Sequence, residues 1–304
     1  MKANGVRKED ESVLAIRLRK GLESVRVFFK LLFRNRLTGA SFVLIAILVV
    51  TAIFAPWIAP YPDEGRGAAN PAQRFLPPSS HHLFGTDELG RDIFSRVVFG
   101  TRISLVIATL TIVLALAIAI PLGILSGYYG GIVDEVIMRV TDVFLSFPPL
   151  LIAIVVASFM GPSLQNAVIA IVIAWWPWYS RVIRAQVMAV KERPFVNASK
   201  CIGTSNGRIM FSHILPNTIA PLIIQASMDM GGVLLTAASL SFIGLGAQPP
   251  TPEWGLIVST ARTYIIDAWW YSTFPGLTIL VTVLSFNLIG DGLREVLDPR
   301  TRVR

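Results

Sequence analysis

Five long runs without a charged side chain constrain the fold of this sequence more than any other feature. Each is as long as, or longer than, the ~18 apolar residues that cross a bilayer as a helix. Charged residues make up only 15% of the chain, against roughly 25% in an ordinary soluble domain. We therefore predict an all-α polytopic membrane protein. The runs are 40–58, 103–133, 143–180, 230–251 and 268–289.

Two of these runs need adjustment before the spans are counted. The run 143–180 is long enough for two helices, and Gly161-Pro162-Ser163 is its natural break, which predicts spans near 143–160 and 164–179. The run that begins at 230 is extended back to Asn217, which places Asp229 inside a span. The sequence thus predicts six transmembrane helices.

The distribution of basic residues predicts which side each loop faces. With six spans, one side of the membrane holds 21 of the 27 Lys and Arg residues, including the ten of the N-terminal segment. The positive-inside rule then puts both termini in the cytoplasm of a prokaryotic cell, in its inner membrane. This accounts for the basic balance without nucleic acid, which would need a soluble basic face with stacking aromatics. Aromatic clusters at 175–179 and 269–271 are interpreted as interfacial belts.

The same reasoning divides the chain into four parts. Residues 1–38 form a cytoplasmic, basic, amphipathic segment suited to the anionic inner leaflet, and 39–59 form the first span. An extracytoplasmic segment occupies 60–102, with a loop from 60 to 78. Residues 103–304 form a five-helix core that carries two cytoplasmic inter-span loops, at 127–142 and 181–216.

No motif for catalysis or metal binding is present. The single cysteine, Cys201, excludes an intrachain disulfide, and His81, His82 and His213 lack the spacing of a zinc site. No Gly is followed by Lys, so the phosphate-binding loop of ATPases is absent. We predict a chain that is not an enzyme and that binds no cofactor or metal of its own.

The loop 181–216 is predicted to contain a short helical hairpin. A helix at 195–201 would end at Gly203 in the left-handed conformation, and Thr204 or Ser205 would cap a second short helix that Pro216 stops. The second helix carries apolar Ile209, Met210 and Phe211. So small a hairpin cannot stabilise itself, which favours docking against another protein. A solvated inter-span loop is the alternative.

A second candidate site lies within a span. Gln225, Asp229, Gly232 and Thr236 follow at i, i+4, i+7 and i+11 and so share one face of a helix. A carboxylate at membrane depth costs roughly 2.5–3.5 kcal/mol and therefore faces the protein interior or water. This face is expected to line a translocation path or a seam with a partner subunit, and helix packing without substrate contact is an equal alternative.

The hairpin and three further motifs resemble the transmembrane subunits of ATP-binding-cassette (ABC) importers, in particular the C-type permeases of the dipeptide, oligopeptide and nickel branch. The hairpin is similar to the family's EAA motif at Ala198, Gly203, Leu215 and Pro216, and it departs from it at Asn197, where Glu is expected, and at Ser199. The other motifs are Phe-Gly-Thr-Asp-Glu-Leu-Gly-Arg-Asp at 84–92, the stretch 240–255, and Asn-Leu-Ile-Gly-Asp-Gly-Leu-Arg at 287–294 followed by Leu-Asp-Pro-Arg at 297–300.

This resemblance implies a type I importer permease fold and a role as half of a translocation pathway for di- or oligopeptides. The 195–216 loop would act as a coupling helix seated on an ATPase subunit. The implied partners are a second permease, two ATPases that hold ATP and Mg²⁺, an external substrate-binding protein and the membrane. Oligosaccharides or nickel chelates are alternative cargoes, and an ion-coupled secondary carrier is the alternative class. The residues that the resemblance and spacing assign to coupling are Asn197, Ala198, Ser199, Gly203, Ile209, Phe211, His213, Leu215 and Pro216.

Overall fold

Each of the long apolar runs contributes to α-helices. The structure, a computed structural model, describes residues 32–297, and within that range no β-strand occurs. Most of the predicted amphipathic segment 1–38 therefore lies outside the described residues. The helices are α1 (Arg36–Ile58), α2 (Pro62–Arg66), α3 (Ile93–Tyr129), α4 (Gly131–Leu145), α5 (Pro149–Met160), α6 (Leu164–Lys191), α7 (Pro194–Cys201), α8 (Asn206–Phe242), α9 (Trp254–Ala261) and α10 (Trp269–Leu297).

Five of the six predicted spans are continuous helices. Within the described range, α1, α3, α6, α8 and α10 are long and apolar enough to cross a membrane. The predicted span 143–160 is instead the end of α4 followed by α5, two helices that meet at an angle of 86°. Pro148 caps α5 and Pro149 opens it, so the α4 helix cannot continue through this point. Counted as one span, the bent pair is long and apolar enough to be the sixth membrane element of the described range.

Helix α4 corrects the prediction of an inter-span loop at 127–142. Hydropathy did not indicate a span there because charged residues interrupt the apolar positions of α4. Two of those charges pair with α6: Asp134 binds Arg184, and Asp142 binds Arg181. The segment is therefore an amphipathic helix whose polar side packs against a neighbouring span.

Helix α3 begins ten residues before the predicted start of its span at 103. The Asp92 side chain accepts a hydrogen bond from the backbone N–H of Ser95, at 2.7 Å, and so caps the helix. The uncharged run stops at Arg102, but a helix outside the bilayer core tolerates charges, and α3 extends beyond the apolar part into the outer segment. That segment otherwise consists of loop with α2 and a 3₁₀ turn at Pro71–Gln73.

Helix α6 runs through the aromatic cluster 175–179 to Lys191, although a span was expected to end at 179. Trp176 and Tyr179 are buried inside the bundle and only Trp178 is largely exposed, so this cluster is not an interfacial belt. At the start of α10 Trp269 is exposed, whereas Trp270 and Tyr271 are buried. Size and polarity alone did not reveal that these aromatics pack against neighbouring helices.

The two largest apolar clusters of the described residues hold the central helices together. One joins α3, α5, α6, α8 and α9 around Ile171, Val233 and Trp254. The other joins α3 and α6 to the 195–216 hairpin, through Tyr128, Val187 and residues of the hairpin itself. The core therefore extends from the spans into the predicted coupling segment.

Candidate functional site

The 195–216 hairpin turns at Gly203, as the sequence predicts. Gly203 has φ = +77°, and its N–H donates to the Lys200 carbonyl at 3.0 Å. The next N–H, of Thr204, donates to the Ser199 carbonyl at 3.1 Å, so the last carbonyls of α7 are satisfied. An L-residue rarely adopts this φ, which explains the glycine.

The second arm of the hairpin is longer than predicted. Ser205 occupies the N-cap position but makes no side-chain cap hydrogen bond, and the helix does not stop at Pro216. It passes through a π-helical stretch, Ile209–Ile214, in which the Leu215 N–H donates to the Met210 carbonyl five residues back. Pro216 then lies in the first turn of the next α-helical stretch, where no N–H is required. The hairpin and the span are one continuous helix, α8.

The inner side of the hairpin packs on its own chain. Val196, Ile209, Met210 and Ile214 are buried in the same cluster as Val187 of α6. The hairpin does not stabilise itself, as predicted, but its support comes from α3 and α6 of the same chain and does not require another protein. Ile209, assigned to docking from the sequence, is fully buried here and stabilises the hairpin instead. Ser199 is also buried, and its hydroxyl donates to the Phe195 carbonyl at 2.9 Å.

The outer side of the hairpin carries an exposed surface, which we name the hairpin ridge. Of the residues predicted for coupling, five are exposed and two, His213 and Leu215, are half-buried. The sequence reasoning missed Ile202, which is 82% exposed although it is large and apolar. Its position just before Gly203, at the tip of the turn, is the signal that could have identified it. The hairpin ridge comprises Phe195, Asn197, Ala198, Ile202, Gly203, Phe211 and Pro216.

A polar brace supports the hairpin from the neighbouring helices. The Arg184 guanidinium donates to both carboxylate oxygens of Asp134, Nε to Oδ1 at 2.5 Å and Nη2 to Oδ2 at 2.6 Å. The Tyr128 hydroxyl donates to Oδ1 of Asn206 at 2.8 Å, which ties α3 to the start of α8. Bidentate Arg–carboxylate pairs fix geometry as well as charge. These contacts hold α4 against α6 and α3 against the start of α8.

The structure brings together two of the four residues predicted for the translocation path. Nε2 of Gln225 lies 3.1 Å from each carboxylate oxygen of Asp229. Gly232 is exposed, and the nearest heavy atom to a Cβ there would be on Trp175 of α6, at 3.9 Å. Thr236 is buried, and its hydroxyl donates to the Gly232 carbonyl of its own helix at 2.8 Å.

The Asp229 carboxylate is half-buried and has a second neighbour that the sequence reasoning missed. The hydroxyl of Tyr179, on α6, lies beside Asp229 but outside ordinary hydrogen-bond geometry. Trp175 and Tyr179 are four residues apart and share a helix face toward α8, which is the spacing that could have identified them. The polar face of α8 is thus partly covered by α6.

A buried charge cluster lies in the outer segment, formed by the motif at 84–92 and the first turn of α3. Oδ2 of Asp87 accepts from Nε of Arg91 at 2.6 Å and lies 3.7 Å from Nε of Arg96. Oδ1 accepts from the backbone N–H groups of Leu89 and Arg91, each at 2.9 Å. Burial raises the pKa of the Asp87 carboxyl, and the Arg91 guanidinium opposes that rise. We name Asp87, Glu88, Arg91 and Arg96 the outer charge cluster.

Other polar residues of the outer side have structural partners. His82 is buried between Asp92, at 2.9 Å, and Gln73, at 3.0 Å. Glu253 caps α9 by accepting from the N–H groups of Gly255 and Leu256, and burial raises the pKa of its carboxyl against these two donors. Within residues 32–297 no three His, Cys, Asp or Glu side chains are grouped to hold a metal ion.

This architecture and this sequence are similar to those of known transport proteins. Among solved structures, the inward-facing MetNI methionine ABC transporter matches with a TM-score of 0.55 at 18% identity, over 67% of this chain and 97% of that chain. Residues 119–303 match the family described as binding-protein-dependent transport system inner membrane component. Residues 25–78 match the N-terminal TM domain of oligopeptide transport permease C.

Curated relatives match over most of their length. The dipeptide transport system permease protein DppC of Alkalihalophilus pseudofirmus is 45% identical over 277 residues, 91% of this chain and 90% of that protein. The glutathione transport system permease protein GsiD of Pectobacterium atrosepticum is 39% identical, over 91% of this chain and 91% of that protein.

The fold is therefore that of a type I ABC permease, a membrane component of ATP-driven transport. The chain belongs to the family of binding-protein-dependent transport system inner membrane components, as the motifs indicated. It is a multi-pass protein of the inner membrane.

Proposed function

We propose that this chain forms half of the translocation pathway of an ABC importer for di- or oligopeptides and transmits the ATPase cycle through the hairpin ridge. The observation that carries the proposal is the continuity of α8, which joins the exposed hairpin to the face that holds Asp229 without a break. A displacement of the ridge would therefore move the polar face of α8 directly.

The chemistry of the ridge fits docking onto a protein. It offers exposed apolar Phe195, Ile202 and Phe211 together with Asn197, an uncharged residue that can still donate and accept hydrogen bonds. We propose two ATPase partners that hold ATP and Mg²⁺, while this chain remains non-catalytic. A second permease would complete the pathway, and an external substrate-binding protein would deliver cargo to its outward-open state.

The names of the relatives favour peptides as cargo. Several relatives of 44–46% identity are named as dipeptide or di/tripeptide permeases. We expect the complete transporter, reconstituted with its binding protein, to hydrolyse ATP faster when a di- or oligopeptide is present. The same ATPase measurement is made with oligosaccharides and with nickel chelates, the two alternative cargoes.

Two outcomes would contradict this proposal at different levels. Stimulation by oligosaccharides or nickel chelates, and not by peptides, would change the cargo and keep the transporter class. Uptake driven by an ion gradient without ATP would favour the secondary carrier and overturn the class.

Asp229→Asn tests the role of the polar face of α8. The amide fits the same space and can still bind Gln225, but the charge within the span is lost. We expect the rate of peptide uptake to fall by about tenfold or more, equivalent to ~1.4 kcal/mol in the barrier, with subunit assembly unchanged. Uptake into proteoliposomes and copurification of the subunits are the two measurements.

Ser227→Ala is the matched control for this variant. Ser227 lies two residues away, is half-buried, and uses its hydroxyl on the Ile223 carbonyl of its own helix. It should leave uptake unchanged. If Asp229→Asn releases the other subunits, the face forms a seam with a partner subunit and not the path.

A further inference from the structure

An apolar groove runs along the exposed junction of α1 and α3. Its volume is about 450 Å³. The floor is formed by Ala52 and Leu105, two core residues that pack against Phe286. The groove is lined by Val49, Ala52, Ile53, Arg102, Leu105, Val106, Thr109, Leu110 and Val113.

One cation lies at the end of this otherwise apolar groove. The Arg102 side chain is exposed, and within the described part of the chain its guanidinium has neither an ion pair nor a hydrogen bond. The only other polar lining side chain is that of Thr109. An arginine at the end of an apolar groove on a spanning helix is costly without a polar partner, and it therefore extends toward the headgroup level or binds an anion.

The length of the groove matches one leaflet. Arg102 and Val113 are eleven residues apart on α3, which corresponds to about 16 Å along a helix. Half of a ~30 Å hydrocarbon core is about 15 Å. A phosphate bound at Arg102 would thus leave an acyl chain lying along the rest of the groove and ending near the bilayer midplane.

We propose that the α1–α3 groove is a binding site for one anionic phospholipid, whose phosphodiester contacts Arg102 and whose acyl chain fills the groove. The lipid is anionic because the groove supplies a guanidinium and no carboxylate for a headgroup ammonium. Under the predicted topology the lipid belongs to the outer leaflet. It would join α1, which has few contacts beyond α3 and α10, more firmly to the core.

Native mass spectrometry tests the proposal on the full-length chain, purified with its accompanying subunits from nanodiscs that contain phosphatidylglycerol and phosphatidylethanolamine. We expect one phosphatidylglycerol to be retained through delipidation. Arg102→Gln removes the charge and Val106→Trp fills the groove while leaving Arg102 in place. Each variant should lower the retention of phosphatidylglycerol by about tenfold or more. Arg102→Gln loses the charged hydrogen bond to the phosphate, and Val106→Trp loses the space for the acyl chain.

Two controls match these variants. Arg74→Gln removes an exposed arginine of the outer segment away from the groove, and Ile118→Trp enlarges an exposed apolar residue of α3 outside it. Both should retain the lipid as the unmodified chain does. Equal retention of phosphatidylethanolamine, or full retention in Arg102→Gln, would overturn the proposal. So would cross-linking of Val106→Cys to the other permease in intact membranes, because a protein helix would then fill the groove.

Discussion

Replacing Asp87 by Asn is expected to lower the free energy of unfolding by about 3–5 kcal/mol, because it removes the fully buried one of the two carboxylates in the outer charge cluster. The amide keeps the shape of the side chain and can still accept from the N–H groups of Leu89 and Arg91. What it lacks is the charge that compensates the buried guanidinium groups of Arg91 and Arg96. Thermal unfolding of the purified chain with its subunits, and its abundance in membranes, measure the loss.

Asp63→Asn is the control, since it makes the same chemical change in the same outer segment. Asp63 is exposed and lies 3.8 Å from the exposed guanidinium of Arg66. Surface ion pairs contribute roughly 0–1 kcal/mol, so the melting temperature should hardly change. If the two variants were equally stable, the outer charge cluster would not hold the outer segment together.

The outer charge cluster is an example of a feature that could be predicted only in part from the sequence. The motif at 84–92 was recognisable as a family feature, but the sequence did not indicate that its charges are buried. The structure instead buries them between the start of α3, the loop before it and Tyr271 of α10. Burial of a charge depends on residues distant in the chain, and a local pattern does not contain that information.

The spans, too, were predicted from the sequence where they depend on local hydropathy and not where they depend on contacts with distant residues. Uncharged runs identified α1, α3, α6, α8 and α10 because membrane insertion depends on local hydropathy. Their ends were misplaced wherever a helix continues into polar surroundings, as α3 does toward Asp92 and α6 toward Lys191. Helix α4 was missed because its apolar residues form one face and not a continuous run.

The hairpin was predicted in outline from Gly203 and missed in its continuation. Proline at 216 suggested a stop, which is the common effect of proline inside a helix. The π-helical turn before it changes the hydrogen-bond register, so that Leu215 reaches back to Met210 and the helix continues. Because of this π-helical turn, one continuous helix links the hairpin ridge to Asp229. The turn has no recognisable sequence signal, so only the three-dimensional structure reveals it.

That continuity makes Gly203→Pro the variant with the largest expected effect on coupling. Proline fixes φ near −65°, whereas Gly203 has φ = +77°, and proline also removes the N–H that binds the Lys200 carbonyl. The turn between α7 and α8 must then rearrange, which displaces Ile202 and the rest of the ridge from the geometry that docking requires. We expect peptide transported per ATP hydrolysed to fall by about tenfold or more, measured in proteoliposomes.

Gly203→Asn is the control that distinguishes a change in turn geometry from the replacement of glycine itself. Asn is several-fold enriched among residues with positive φ, and a Cβ at 203 has no atom within 4 Å. This variant should keep most of the coupling, although it enlarges the side chain at the same position. Normal coupling in Gly203→Pro would show that the ridge does not transmit the ATPase cycle. An equal loss in both variants would instead show that the effect comes from a contact at position 203. The turn itself has room for the Asn side chain, so only a partner surface in contact with this position could exclude it.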